Sequence, residues 1–152
     1  MFASSLDNVG LFARYVQDIA LVYDVLQGSD ATDPVCTNRP PESCFSQLKG
    51  DIKGLRIAVA DGHFAKGGQP EVFTAVEQVA KQLGVTQRVT IPEADRARAA
   101  AYIITATEGA NLHLNNLRTR PQDFDPATRD RFLAGALIPG DWYIQAQRFR
   151  RW

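Results

Sequence analysis

The sequence predicts an α/β fold, with helices packed on a β-sheet. Three stretches carry that expectation: the branched apolar run "LRIAVA" (55–60), a helical pattern from Pro70 to Gly84, and the alternating "VTQRVTI" (85–91). Strand, loop, helix and strand in that order make a βαβ unit, whose two strands run parallel. The 152 residues have the length of one domain, 1–152, with a core of its own.

The elements follow in order. Phe2 to Asp7 reads as a strand entering a turn. From Val16 to Gln27 apolar residues recur at 16, 19, 20, 22, 23 and 26, near the helical period, and Gly28 supplies a stop. Residues 33–53 read as a connector, because Pro34, Pro40 and Pro41 forbid regular pairing. A buried strand at 55–60 gives way to the glycine-rich loop "DGHFAKGG" (61–68). Pro70 opens a helix whose buried face is marked by Val72, Val76, Val79 and Leu83. The alanine-rich stretch 93–118 supports one long helix, or two broken near Gly109. Asp125 is an N-cap with Pro126 at the first helical position, and another helix follows Pro139 through Trp142, Ile144 and Phe149.

Seventeen basic residues balance seventeen acidic ones, which gives no electrostatic reason to expect nucleic acid or an anionic membrane as partner. No apolar run approaches the roughly 20 residues of a membrane span, and the first residues lack the pattern of a signal peptide, so the expected address is cytoplasmic. Cys36 and Cys44 have neither zinc-site spacing nor the setting of a stable disulfide, and are expected to be reduced thiols.

His63 and His113 have no HExxH companion, and Glu108 stands five residues from His113, off its helical face; both histidines are expected to be structural or exposed. "DGHFAKGGQ" lacks both GxGxxG and GK[ST], which leaves it a surface loop. Ser4 and Ser5 with Asp7 have no activating base or glycine-rich oxyanion turn nearby. Arg148, Arg150 and Arg151 read as a solvated helix face.

The stretch "FASSLDNVGLFARYVQDIAL" resembles the amidase signature family, where the pattern runs F-x-x-SLD-x-x-GP-x-x-R-(S/T)-V-x-D-x-A. "GSDATDP", "LKGDIKGLRIAVA" and "AAYIITATEGANLHL" fall in that family's order and spacing, so the resemblance covers nearly the whole chain. "DPVCTNRPPE", "RTRPQDFDPATRDRFLAGALIP" and "YIQAQRFRRW" resemble its branch of carboxybiuret hydrolases and related amidohydrolases of urea-derivative breakdown.

The resemblance implies a partial amidase-signature fold, helices on a mixed β-sheet and incomplete at both ends. It implies amide hydrolysis by a serine nucleophile, a second serine in a cis peptide and a lysine, with no metal or cofactor. The family's three catalytic residues lie upstream of SLD and match nothing here: Ser4 and Ser5 fall in the SLD segment, and Lys49, Lys53, Lys66 and Lys81 match no catalytic lysine. The chain is therefore expected to be an internal piece of a larger amidase, inactive alone.

Ser5, Asp7, Arg14 and Asp18 match positions that support the turn beside the core, with Arg14 and Asp18 spaced for an ion pair. Tyr102 resembles the position from which glutamine-amidase relatives touch their substrate amide; the reading favoured by its own setting is a core tyrosine on a long helix. Gly10-Leu11 departs from the family's GP, and Tyr15 stands where Ser or Thr caps the helix.

The implied partners are a small amide substrate and the missing catalytic half, a homodimer mate or a small companion subunit. The alternatives are a non-catalytic binding module and a glutamine amidotransferase A-type subunit. A half-domain of this kind must expose apolar surface and self-associate.

Overall fold

The computed structural model describes residues 1–33 and 36–152; Pro34, expected to bar regular pairing in the connector, lies outside them. The chain divides into two compact units, Ser5–Gly54 and a larger one made of Met1–Ser4 with Leu55–Trp152.

In the smaller unit α1 spans Val16–Leu26 and α2 spans Cys44–Gln47. Tyr15 is the N-cap of α1 and makes no side-chain cap bond, as its aromatic side chain dictates. The connector is held to α1 by two side chains. Asp24 accepts from the Cys44 amide at 2.7 Å, the Phe45 amide at 3.1 Å and Ser43 Oγ at 3.0 Å, and thereby serves the open N-terminus of α2. Gln27 grips the Glu42 backbone at both ends, donating to its carbonyl at 2.7 Å and accepting from its amide at 2.8 Å. Cys36 and Cys44 are free thiols.

The larger unit contains the expected parallel βαβ unit: β1 (Val59–Asp61), α3 (Pro70–Gln82) and β2 (Arg88–Thr90), with Val59 opposite Arg88 and Asp61 opposite Thr90. The strands are shorter than the apolar runs suggest, and neither is buried, because among the described residues the sheet has only two strands. Val72, Val76, Val79 and Leu83, the expected buried face of α3, are exposed; Ala80 alone on that helix is buried. Instead of packing against β1, α3 borders an open apolar cavity of about 610 Å³, lined among others by Val59, Phe64, Val76 and Leu83.

The core lies among three later helices, α4 (Ala94–Thr119), α5 (Pro126–Ala136) and α6 (Gly140–Arg151). α4 runs unbroken through Gly109. The glycine serves packing rather than a break: a Cβ there would overlap the Phe132 ring on α5. Asp125 caps α5 as expected, accepting from the Ala127 and Thr128 amides.

Phe132 is 2 % exposed and gathers Phe2, His113 and Phe124 around it, with ring centroids 4.7, 5.4 and 6.2 Å away. Phe2–Asp7 forms no strand, since its first residues are consumed by this core. The Met1 carbonyl bonds His113 Nε2 at 2.8 Å, Phe2 packs on Phe132, and Ala3 is fully buried. No helix among the described residues is long and apolar enough to cross a membrane.

Candidate functional site

Tyr102, Thr105 and Glu108 follow one another at three-residue steps along α4, so their side chains form a slowly winding row on one side of the helix. Thr105 Oγ1 donates back to the Ala101 carbonyl at 2.8 Å, the local bond by which a helical threonine settles its own hydroxyl. Its oxygen then accepts from Arg131 Nη2, reaching across from α5.

The Arg131 guanidinium lies over two rings, its Cζ 4.6 Å from the Tyr102 centroid and 5.0 Å from that of Phe2. Arg131 Nε is buried with no hydrogen-bond partner, and no carboxylate pairs with Arg131 among the described residues. A planar cation packed on aromatic rings, with no carboxylate partner among the described residues, has the chemistry to bind a carboxylate.

One turn along α4, Glu108 collects donors from two other elements. Tyr143 Oη donates to its Oε1 at 3.0 Å, Gln147 Nε2 reaches the same oxygen at 3.4 Å, and Gln147 also donates to Tyr143 Oη at 2.9 Å. Tyr143 and Gln147 are four apart on α6, which brings both to one face. Desolvation pushes the Tyr143 phenol above its ordinary range; the bond to Glu108 and that group's charge add to the rise, while Gln147 and Arg150 oppose it. On the other carboxylate oxygen, Ser4 Oγ donates to Oε2 at 3.4 Å, a long and weak bond and no sign of an activated nucleophile.

Of the residues singled out from sequence, Tyr102 is therefore half-exposed beside a cation. Ser5, Asp7, Arg14 and Asp18 fall in the smaller unit, Ser5 half-buried and the other three exposed. The expected Arg14–Asp18 ion pair is not among those of the described residues. Arg14 precedes Val16, the first helical residue, so the two never share the i, i+4 geometry.

His63 Nδ1 meets Asp95 Oδ1 at 2.5 Å, and His113 is a core ring; both are structural, as expected. Sequence reasoning missed Arg131, Glu108, Tyr143 and Gln147. Arg131 had a signal in "TRDRF", where a basic residue sits directly beside the buried Phe132.

The sequence pattern of the family Amidase matches residues 1–151. The chain is 45% identical over 150 residues to the 1-carboxybiuret hydrolase subunit AtzE of Pseudomonas sp. (strain ADP), covering 99% of this chain and 33% of that protein. It is 36% identical over 176 residues to the A-type subunit of the glutamyl-tRNA(Gln) amidotransferase of Roseiflexus sp. (strain RS-1), covering 98% of this chain and 36% of that one. Among solved structures, one described as an unexpected vestigial protein complex, revealing the origins of an s-triazine catabolic enzyme, matches with a TM-score of 0.86 at 46% identity. That match covers 91% of this chain and 30% of the other. The chain thus spans about a third of the length of the curated relatives it matches.

Proposed function

This chain belongs to the amidase family, and we propose from that premise that it forms the substrate-side part of an amidohydrolase acting on a small linear amide of the carboxybiuret or urea-derivative type. The observation that carries the reading is the Arg131 guanidinium, without a carboxylate partner among the described residues and stacked beside Tyr102. It is the group a carboxylate-bearing substrate requires. The likeness to a carboxybiuret hydrolase subunit supports the same substrate class.

In this reading the bond is broken by a serine, a cis-peptide serine and a lysine contributed by residues outside these 152, and the chemistry uses no metal or cofactor. Arg131 and Tyr102 bind and orient the substrate; Ser5, Asp7, Arg14 and Asp18 support the turn that leads to the catalytic groups. The apolar cavity beside α3 is where the catalytic half, a companion subunit or a homodimer mate packs. We place the reaction in the cytoplasm, whose reducing conditions suit the free Cys36 and Cys44.

A second reading, a glutamine amidotransferase A-type subunit, is favoured by the amidotransferase relatives. It is separated from the first by offering glutamine against a ureido acid. The test of the main reading is an ammonia-release assay on the purified chain with biuret-type amides. Binding without turnover is expected. Hydrolysis that survives repurification and disappears in Tyr102→Phe would place the catalytic groups within this chain and overturn the reading. A chain that folds and binds but completes no enzyme with any catalytic half would instead be a binding module.

A further inference from the structure

We propose that Thr105 is the positioning residue of this site: its hydroxyl oxygen holds one N–H of Arg131 Nη2 and so turns the guanidinium to meet a ligand's carboxylate end-on. This rests on the reading of Arg131 given above and adds to it the group that aims the cation and the edge the cation offers.

The Thr105 hydroxyl has a single role left to it. Its hydrogen goes back to α4, where Oγ1 lies 2.8 Å from the Ala101 carbonyl oxygen and 3.2 Å from that of Tyr102. The oxygen can therefore only accept, and Arg131 Nη2 is the donor that reaches it. The bond back to the helix also fixes the Thr105 rotamer, already stiff at a β-branched carbon. The acceptor thus stands at a point set by the α4 backbone.

The rings beside the cation act differently. Tyr102 and Phe2 lie 4.6 and 5.0 Å from Arg131 Cζ, but a π face attracts a cation without fixing its rotation in plane. A hydrogen bond is directional and supplies that constraint.

The arrangement of N–H groups then gives the edge. Of the guanidinium's donors, the one on Nε is buried and unbonded, and one on Nη2 goes to Thr105. Those of Nη1 and the second on Nη2 are left, and together they form an end-on fork that takes a carboxylate through two parallel bonds. A guanidinium already turned to that geometry loses less freedom when the ligand arrives.

The experiment is a calorimetric titration of the full chain with N-carbamoylglycine and with N-carbamoylglycinamide, its neutral amide. The two differ only in the group that faces Arg131. The acid is expected to bind about tenfold more tightly, and Arg131→Gln is expected to bring that ratio near unity. Thr105→Val keeps the shape and removes the acceptor; it is expected to lower the ratio to about twofold while changing the affinity for the amide little. Thr105→Ser returns the hydroxyl and is expected to restore the preference, whereas a role in packing alone would weaken both ligands alike. The unmodified chain supplies a readout that needs no variant to fold. With the guanidinium held at one nitrogen, NMR is expected to resolve separate signals for Arg131 Nη1 and Nη2, which free rotation would merge.

Merged signals, or a preference for the acid that persists in Thr105→Val, overturns the assignment of Thr105 alone. Failure of the acid to bind, equal binding of the two ligands by the unmodified chain, or a preference indifferent to Arg131→Gln overturns the Arg131 reading, and this inference with it.

Discussion

Gly135 lies directly against the Ala106 carbonyl, so close that a Cβ at position 135 would overlap the backbone of α4. The two helices that carry Arg131 and Thr105 therefore meet main chain to main chain at this point, which fixes the separation of the two backbones that the Arg131–Thr105 bond spans.

Gly135→Ala is accordingly expected to destabilise the larger unit by at least the ~1–3 kcal/mol typical of overpacking, because no side chain can swing aside. Gly109→Ala meets a ring instead of backbone; Phe132 is hemmed in by Phe2, His113 and Phe124, so this variant too is expected to be destabilised, by somewhat less than one that meets main chain. Urea unfolding of both variants checks the order; a Gly135→Ala protein as stable as the parent would contradict the close approach.

Phe132→Ala removes the ring about which Phe2, His113 and Phe124 gather, and is expected to cost about 3–5 kcal/mol. The same variant should free the Met1–Ser4 segment, since Phe2 loses its seat. Limited proteolysis near the N-terminus reads that second effect separately from global stability.

Asp24 is the source of a predicted acid sensitivity in the smaller unit. Desolvation pushes its carboxyl up, but the Cys44 and Phe45 amides, with the Ser43 and Cys44 side chains, pull it further down, and the net direction is below the ordinary value. A folded-state pKa below the unfolded one gives stability that is complete above the unfolded value. That stability is lost as pH falls through the folded value. Hydrogen exchange at the Cys44 and Phe45 amides should therefore quicken, beyond the intrinsic trend, as the solution is acidified below the ordinary aspartate range. Asp24→Asn should abolish that dependence.

The exposed apolar residues of α3, Val72, Val76 and Val79, predict self-association of the isolated chain. Size-exclusion chromatography at rising concentration should show it, and a Val76→Lys, Val79→Glu double variant should reduce it. A clean monomer at every concentration would count against an interface on this face.

Much of this architecture was legible because it is local. Pro70 at a helix start, Asp125 with Pro126 and the alternation around Val89 depend on neighbours a few residues away, and the structure follows them. The extent of burial was not legible. Val72, Val76 and Val79 carry the spacing of a buried face, but covering them requires a partner element that a spacing cannot supply. The site was missed for a related reason. Tyr102 and Arg131 meet only because α4 and α5 pack through Gly135 against Ala106, and Glu108 joins Tyr143 only through the return of α6. Phe2–Asp7 looked like a strand because strand propensity is blind to whether a partner strand exists.

The attachment of Met1–Ser4 to the helices has a kinetic side. Contacts among α4, α5 and α6 are short-range in sequence and close early, whereas seating Phe2 on Phe132 joins points separated by nearly the entire chain. Seating this segment therefore carries a larger loop-closure cost than the contacts among the three helices. Phe2 lies over Arg131, so brief excursions of the first residues would unveil the guanidinium while the helices beneath stay folded, and the speed of ligand entry would be tied to that local opening instead of to the stability of the whole.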